Sequence, residues 1–584
     1  MTLCASHGLP GAFGHLIGEA IEVSLSCSLR VADESPANAA RDGDVRCDAP
    51  WISPASHELK AESSEFHCKV ERAGLIRLKV IARLQESPAR LQQVCWYALI
   101  GLLAAGIGYF LATSYVMLAL AFMGTAWLVS LPYHCQISVR VAVATFTSAL
   151  ILPFFPGRPY LWESAALLGW SGLPVMFAMR RYAPGAFQQL KQNIWLFMGV
   201  AGYCLVLLLT MYYRGFGLRI FGGEQMGGRF YFQQLSCAVF PLLFVVCRID
   251  EKTVVRLFTL QCVLTVTYVV SDFVFALPSG ELYVLLQFFE LPGDAIGFEM
   301  QAQHFGIRRF QSLYFLSGGM LYLILTRYNL KNLFTPRGLF LIPLIVFVMA
   351  IGSLSGHRYL VLIVFVMLLF CAYAQRFYTV KHCFISAGAC LILVAFLYGF
   401  GSHLPLAAQR VASVLPGINI DPEAKADAWG TWEMRRIMRK VGLELAPQYL
   451  WLGRGFGQSS VDYSFLWDPT AISSHIAIGR FYNGIVGLLV NTGIFGTAFM
   501  LLFLGGGTAL ALKIVRLLRT NGCEDNFERV CSLLSGLWMA DVIAFLFLHG
   551  DSEYAMKTFS LNAGMLLICH YHLNQRQLIA ARQP

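Results

Sequence analysis

The chain has 584 residues, of which 57% are hydrophobic and only 13% charged, and its mean hydropathy is +0.59. No soluble protein of this size tolerates such a composition, which excludes the soluble enzyme and soluble scaffold classes. The net charge of +10 suits anionic lipid or an anionic substrate; nucleic acid is not an expected partner, because no soluble module interleaves basic and aromatic residues.

In chain order, residues 1–90 differ from the rest: polar, rich in Ser, Ala, Glu and Asp, and without an apolar run long enough to span a bilayer. They are expected to form a cytoplasmic, largely disordered extension, with a small folded domain as the alternative. Its last part, "RAGLIRLKVIARLQESPARLQQ", is expected to lie along the inner membrane face as an amphipathic helix. Residues 91–584 form the transmembrane domain. Apolar runs fall near 93–112, 114–132, 141–156, 161–179, 194–213, 232–248, 255–276, 311–327, 338–354, 359–375, 383–400, 482–511, 530–549 and 556–573. Most are long enough to cross about 30 Å of hydrocarbon. The expected fold class is therefore an all-α polytopic membrane protein with 12–14 transmembrane helices, one large outside loop at 401–481 and the polar N-terminal extension. The runs at 141–156 and 232–248 contain proline and are the weakest spans.

Orientation follows from the basic residues. With both termini cytoplasmic, the inside loops become "RRYAPGAFQQLKQN", "RIDEKTVVR", "TRYNLKNLFTPR", "QRFYTVKH" and "KIVRLLRTNGCEDNFER". All are short and basic, as the positive-inside rule requires. Most of the 16 cysteines lie within apolar runs, where they act as small hydrophobes. No Cys-x-x-Cys or Cys/His ligand spacing appears, so neither a metal nor a cofactor is expected.

The arginines left on the outside run against that rule. Arg358 begins the helix "RYLVLIVFVMLLF" and has no acidic residue within ten positions; a lone charge there is costly unless it meets water or a ligand. The large loop carries "WGTWEMRRIMRKVGLELA", whose helical spacing puts Trp429, Trp432, Met434, Ile437, Met438 and Val441 on an apolar side. Arg435, Arg436, Arg439 and Lys440 fill the rest. Arg214 and Arg480 read equally well as snorkelling at the interface, and Glu163 and Asp272 as interfacial acids. A diphosphate suits arginines at the membrane face without acidic clusters, because a guanidinium fork binds phosphate oxygens bidentately and stays charged. "LFLGGGTAL" at 502–510 lies inside an apolar helix and signals close helix packing.

Four stretches, in this order, carry a resemblance: "GIRRFQSLYFLSGGMLYLIL" (306–325), "SLSGHRYLVLIVFVMLL" (353–369), "WGTWEMRRIMRKVGLELAPQYLWLGRGFGQ" (429–458) and "FYNGIVGLLVNTGIFGTAFMLL" (481–502). Over roughly residues 230–515 the chain resembles the O-antigen ligase / O-antigen polymerase superfamily of bacterial inner-membrane proteins. The resemblance implies metal-independent, inverting glycosyl transfer at the periplasmic face during O-antigen or exopolysaccharide synthesis. The donor would be an undecaprenyl-diphosphate-linked oligosaccharide, and the acceptor a saccharide or the lipid A-core. It assigns diphosphate binding to Arg358 and one of Arg308 or Arg309, with Arg435, Arg436, Arg439 and His357 as possible additional donors. The family writes His-Asn where this chain has Tyr482-Asn483, so the acceptor-side role passes to His475 in "AISSHIAIGR", to Tyr482, or to neither. Asp551 and Glu553 in "LHGDSEYAMK" are further candidates for the base. That departure favours polymerase over ligase. The alternative class, a transporter or flippase for a lipid-linked saccharide, would use the same arginines; it predicts internal repeats and mid-membrane charges, neither of which is evident.

Overall fold

The computed structural model describes residues 116–153, 155, 158–217, 227–277, 280–290, 307, 309–336, 338–457, 475–476 and 478–581, with residues 101 and 109. The chain forms two units, Met1–Ala119 and Leu120–Pro584. The extension expected over 1–90 and its amphipathic end lie outside the described residues, as does Arg308.

The described chain is helical. α1 (Val116–Ser130), α2 (His134–Thr145), α3 (Leu161–Ala178), α4 (Ala186–Gln192) and α5 (Ile194–Arg214) are followed by α6 (Gly228–Cys237), α7 (Phe240–Val246), α8 (Glu251–Leu264) and α9 (Val266–Ala276). Then come α10 (Ser312–Arg327), α11 (Gly338–Ser353), α12 (Arg358–Ala374), α13 (Val380–Phe400), α14 (Leu406–Ala412), α15 (Pro422–Leu445), α16 (Gly484–Asn521), α17 (Asn526–Phe547) and α18 (Ala555–Ala580). Among the described residues, six segments are long and apolar enough to cross a membrane: Ile194–Arg214, Gly228–Val246, Glu251–Ala276, Val380–His403, Gly484–Asn521 and Asn526–Phe547. α12 and most of α11 are shorter apolar helices. The protein is an all-α polytopic membrane protein.

Two of the expected spans are realised differently. The run at 141–156 is not a helix throughout, since α2 stops at Thr145. Ile151 N–H instead donates to Phe288 O at 3.0 Å, and Leu152 N–H to Pro159 O at 2.9 Å. This stretch is apolar because Ala149 (0% exposed) and Ile151 (5%) are packed inside the bundle, not because it crosses lipid. The run at 232–248 is broken into α6 and α7, with Pro241 in the first turn of α7, where its missing N–H costs nothing.

Lipid tails are as apolar as leucine, so helices in a membrane associate by close packing rather than by escape from water. α16 supplies it, lying against α5, α17 and α18. A Cβ on Gly507 would come within 2.0 Å of the Trp538 ring, and one on Gly506 within 2.9 Å of Leu196, so "LGGGT" is a packing stripe, as expected. α16 is also kinked. Gly493 has φ +68°, which only glycine adopts without strain. The turn "WLGRGFG" docks on this break: Arg454 N–H donates to Val490 O (2.7 Å), Gly455 N–H to Asn491 O (2.9 Å) and Ile494 N–H to Leu450 O (2.7 Å). The kink frees α16 backbone groups, and the glycine turn satisfies them.

Caps set the helix starts. Asn483 accepts from Val486 N–H to begin α16, and Asp525 and Glu528 form a capping box at α17. Glu163 is 1% exposed and bonds the Tyr160 N–H to start α3, while Asp272 accepts from Ser312 N–H at the start of α10. Both are buried structural groups rather than interfacial acids. Near the starts of α8 and α17 and the end of α18, Arg576 gathers Glu251, Asp525 (2.6 Å) and Glu528 (3.2 Å). α17 also packs on α10 and α12, and His549, just past its end, shares a cavity with residues of α12 and of the loop helices α14 and α15.

The face that α15 packs inward is not the tryptophan face expected from its spacing. Ala424, Ala428, Met438 and Gly442 are buried, whereas Trp429 and Trp432 are 67% and 50% exposed. Small residues are selected because a Cβ on Gly442 would lie 2.5 Å from Val486 and 2.7 Å from Phe481. The tryptophans stay outside that contact.

Candidate anion-binding site

The site assembles from five chain segments. α11 and α12 are joined by "SLSGH", whose Gly356 has φ +69°. The turn carries His357 and Arg358 into α12. α14 contributes Arg410, α15 contributes Asp427, Thr431 and Arg435, and the segment entering α10 contributes Arg309, Gln311 and Tyr314. His549 comes from the connection between α17 and α18. Gln311, Tyr314, His357, Arg358, Tyr359, Arg410, Thr431, Arg435 and His549 line one cavity of about 190 Å3.

Asp427 is the pivot. Its Oδ2 pairs with both Arg309 and Arg410, and the three side chains are only 12%, 4% and 7% exposed. Arg410 also donates to Gly356 O (3.0 Å) and to Thr431 Oγ1 (2.7 Å), which fastens α14 and α15 to the α11–α12 turn. One carboxylate thus serves two guanidiniums. Arg358 has no carboxylate partner among the described residues and donates instead to Ala428 O at 3.0 Å. Arg435 lies 5.6 Å above the Tyr482 ring, and its Nε is buried without a hydrogen-bond partner among the described residues.

The electrostatics follow. Burial first, and then repulsion from Arg309, push Arg410 down to about 9, with Asp427 partly offsetting them. Arg309 and Arg435 are lowered too, chiefly by burial. A guanidinium does not give up its proton near neutral pH, so the crowded cations suit an anion. Burial, and then the surrounding Arg410 and His549, push His357 down to about 3. His357 is therefore a neutral imidazole in the wall, its ring edge-on to Tyr314 at 5.6 Å.

The expected site residues separate into three groups. Arg358, Arg435 and His357 line the cavity, and Arg309 stands behind it through Asp427. His475 and Tyr482 form a second layer. The Tyr482 hydroxyl lies 3.2 Å from His475 Nδ1, and its ring stacks on His549 at 5.2 Å and 22°. Arg436 and Arg439 point elsewhere: Arg436 is 71% exposed at its side chain and 3.6 Å from Glu433, and Arg439 sits 5.9 Å from the Trp432 ring. Arg480 does not snorkel, because its Nε donates to Glu553 Oε1 at 2.7 Å; Glu553 is fully buried in that pair. Arg214 likewise donates to Gly453 O at 3.2 Å.

Arg410 and His549 were not singled out by sequence reasoning. Arg410 carries one signal, a lone arginine in the loop stretch "PLAAQRVAS". His549 carries none beyond its nearness to Asp551. Beside the cavity runs an apolar groove of about 620 Å3 lined by Leu415, Ile418, Ile420, Trp429 and Trp432, and Arg358 lines both.

Fold and site together define a polytopic helical membrane protein with a cationic cavity at one end of its bundle. No family model matches the chain, and no curated protein matches it.

Proposed function

We propose that the protein transfers saccharide from an undecaprenyl-diphosphate-linked oligosaccharide to a saccharide or lipid A-core acceptor at the periplasmic face of a bacterial inner membrane. Polymerisation is favoured over ligation. The carrying observation is the convergence of Arg358, Arg410 and Arg435 on one small cavity that adjoins an apolar groove through Arg358. A departing diphosphate gains negative charge in the transition state, and fixed guanidiniums stabilise that charge without reorganising. The groove beside it suits the apolar part of an amphiphilic donor. The cavity's arginines come from the start of α12 and from the loop helices α14 and α15, which favours transfer over transport, where charged groups near mid-bundle are expected.

The test is the saccharide ladder made by cells carrying Arg358→Lys. Lysine keeps the charge and loses the planar fork. A loss of about a hundredfold in product, at normal protein level, is expected. An unchanged ladder removes the diphosphate role from Arg358.

A further inference from the structure

From the geometry we infer that His549 is the general base that takes the proton from the acceptor hydroxyl, held in place by the ring of Tyr482. The inference rests on the transfer reaction proposed above and goes beyond it by assigning the base to a residue outside the loop that resembles the ligases.

Inverting transfer needs a group beside the leaving diphosphate that can accept one proton. The acceptor oxygen forms a bond to the anomeric carbon. The bond from that carbon to the diphosphate oxygen breaks, and its electron pair leaves with the diphosphate. The hydroxyl proton goes to the base, which later returns it to water. A base must therefore share the cavity with the arginines. Among the described residues, two histidines do so, His357 and His549. His357 is buried among Arg309, Arg410 and Arg435, and burial first, then those charges, keep it neutral down to about pH 3; a base that weak takes up a proton poorly at neutral pH. His475 and Tyr482 do not line the cavity, and Glu553 is committed to Arg480.

His549 is also held as a catalytic group must be. Its ring lies flat on Tyr482 (5.2 Å, 22°) and edge-on to Tyr359 (5.9 Å, 85°). Tyr482 has φ +51°, an unusual conformation for an aromatic residue, and strain of this kind persists where the surroundings enforce a functional geometry. The surroundings here are the His475 Nδ1 at 3.2 Å from the Tyr482 hydroxyl and the Arg435 guanidinium over its ring. Tyr482 is therefore a positioning residue and His549 the reacting one.

The experiment compares wild-type protein, His549→Ala, His549→Gln, Tyr482→Phe and Tyr482→Ala, purified in lipid nanodiscs. Each is assayed for saccharide transfer from an undecaprenyl-diphosphate-linked donor and for binding of inorganic pyrophosphate. General base catalysis contributes 10²–10⁴-fold. His549→Ala and His549→Gln are expected to lose transfer by at least about a hundredfold while binding pyrophosphate as the wild type does, and added imidazole restores part of the activity of His549→Ala. Tyr482→Phe, which loses the contact with His475 but keeps the ring against His549, is expected to lose part of the transfer, and Tyr482→Ala nearly all of it, both with pyrophosphate binding intact. Wild-type transfer by His549→Ala overturns the assignment while leaving the transfer reaction standing. Parallel loss of pyrophosphate binding overturns it too, by making His549 a structural or binding residue. A wild-type protein that transfers nothing overturns the reaction and the assignment together.

Discussion

Replacing Asp427 by asparagine probes the charge arrangement directly. Asp427 is the shared counter-ion of Arg309 and Arg410, whose side chains are 4% and 7% exposed. Removing one partner of a buried ion pair costs about 3–5 kcal/mol, because the remaining charge is left without water or a counter-charge. The asparagine oxygen still accepts one hydrogen bond from Arg309, so the low end, about 3 kcal/mol, is expected. Arg309→Met with Asp427→Asn removes one of the two stranded cations and should recover much of the loss, a coupling that a double-mutant cycle reads. Inorganic pyrophosphate at about 100 times its Kd should add about 2.7 kcal/mol, nearly enough to replace the missing carboxylate. The assay is denaturant unfolding in detergent for the wild type, each single variant and the double variant. A silent Asp427→Asn, or a double variant no more stable than that single one, would refute the reasoning.

Other perturbations test other parts of the account. His357 is held neutral in the folded protein, with its pKa at about 3 against 6.5 unfolded, so its contribution is full above pH 6.5 and is lost as the pH falls toward 3. His357→Gln should therefore lose less stability than wild type between pH 7 and pH 5, by up to about 2 kcal/mol, read from thermal unfolding at the two pH values. Gly453→Ala places a Cβ 2.3 Å from the Asn491 backbone at φ +78°, and should destabilise by about 1–3 kcal/mol or more; Gly505→Ala, with nothing within 4 Å, should be neutral or stabilising. Equal melting temperatures for the two would contradict the docking of the glycine turn on α16. Arg436→Cys, at the exposed face of α15, should react with a membrane-impermeant thiol reagent added to the periplasmic side of intact cells. Reaction only after the inner membrane is opened would reverse the orientation.

The sequence was informative where one physical cause dominated. Spans such as 194–213 and 530–549 correspond closely to α5 and α17, because apolar length across lipid is a local property. The run at 141–156 misled for the same reason: Ala149 and Ile151 are apolar because they are packed inside the bundle, and hydropathy does not distinguish protein from lipid. Arg358 stood out as a charge without a local partner, and it does line the cationic cavity. What could not be read is which arginines are neutralised. Arg309 finds Asp427 from 118 positions away, and Arg410 finds it across a turn of the loop. No local pattern reports those pairings. His549 and Asp551 are only two positions apart, yet only the histidine lines the cavity, because the chain turns sharply between α17 and α18. The apolar side drawn on α15 was right at Met438 and wrong at Trp429 and Trp432, because helical spacing shows that a face exists, whereas the small residues Ala428 and Gly442 decide which face packs closely.

The central claim is that the arginine cavity receives the diphosphate of a lipid-linked saccharide and that this contact drives transfer. The most direct measurement uses the purified protein in nanodiscs, an undecaprenyl-diphosphate-linked oligosaccharide and a saccharide acceptor, following product formation alongside pyrophosphate competition. Wild-type protein should form product, pyrophosphate should inhibit it competitively with the donor, and Arg358→Lys should lose both product, by about a hundredfold or more, and sensitivity to pyrophosphate. Product formation by Arg358→Lys at the wild-type rate, or no product from the wild type with any lipid-diphosphate donor, would contradict the account.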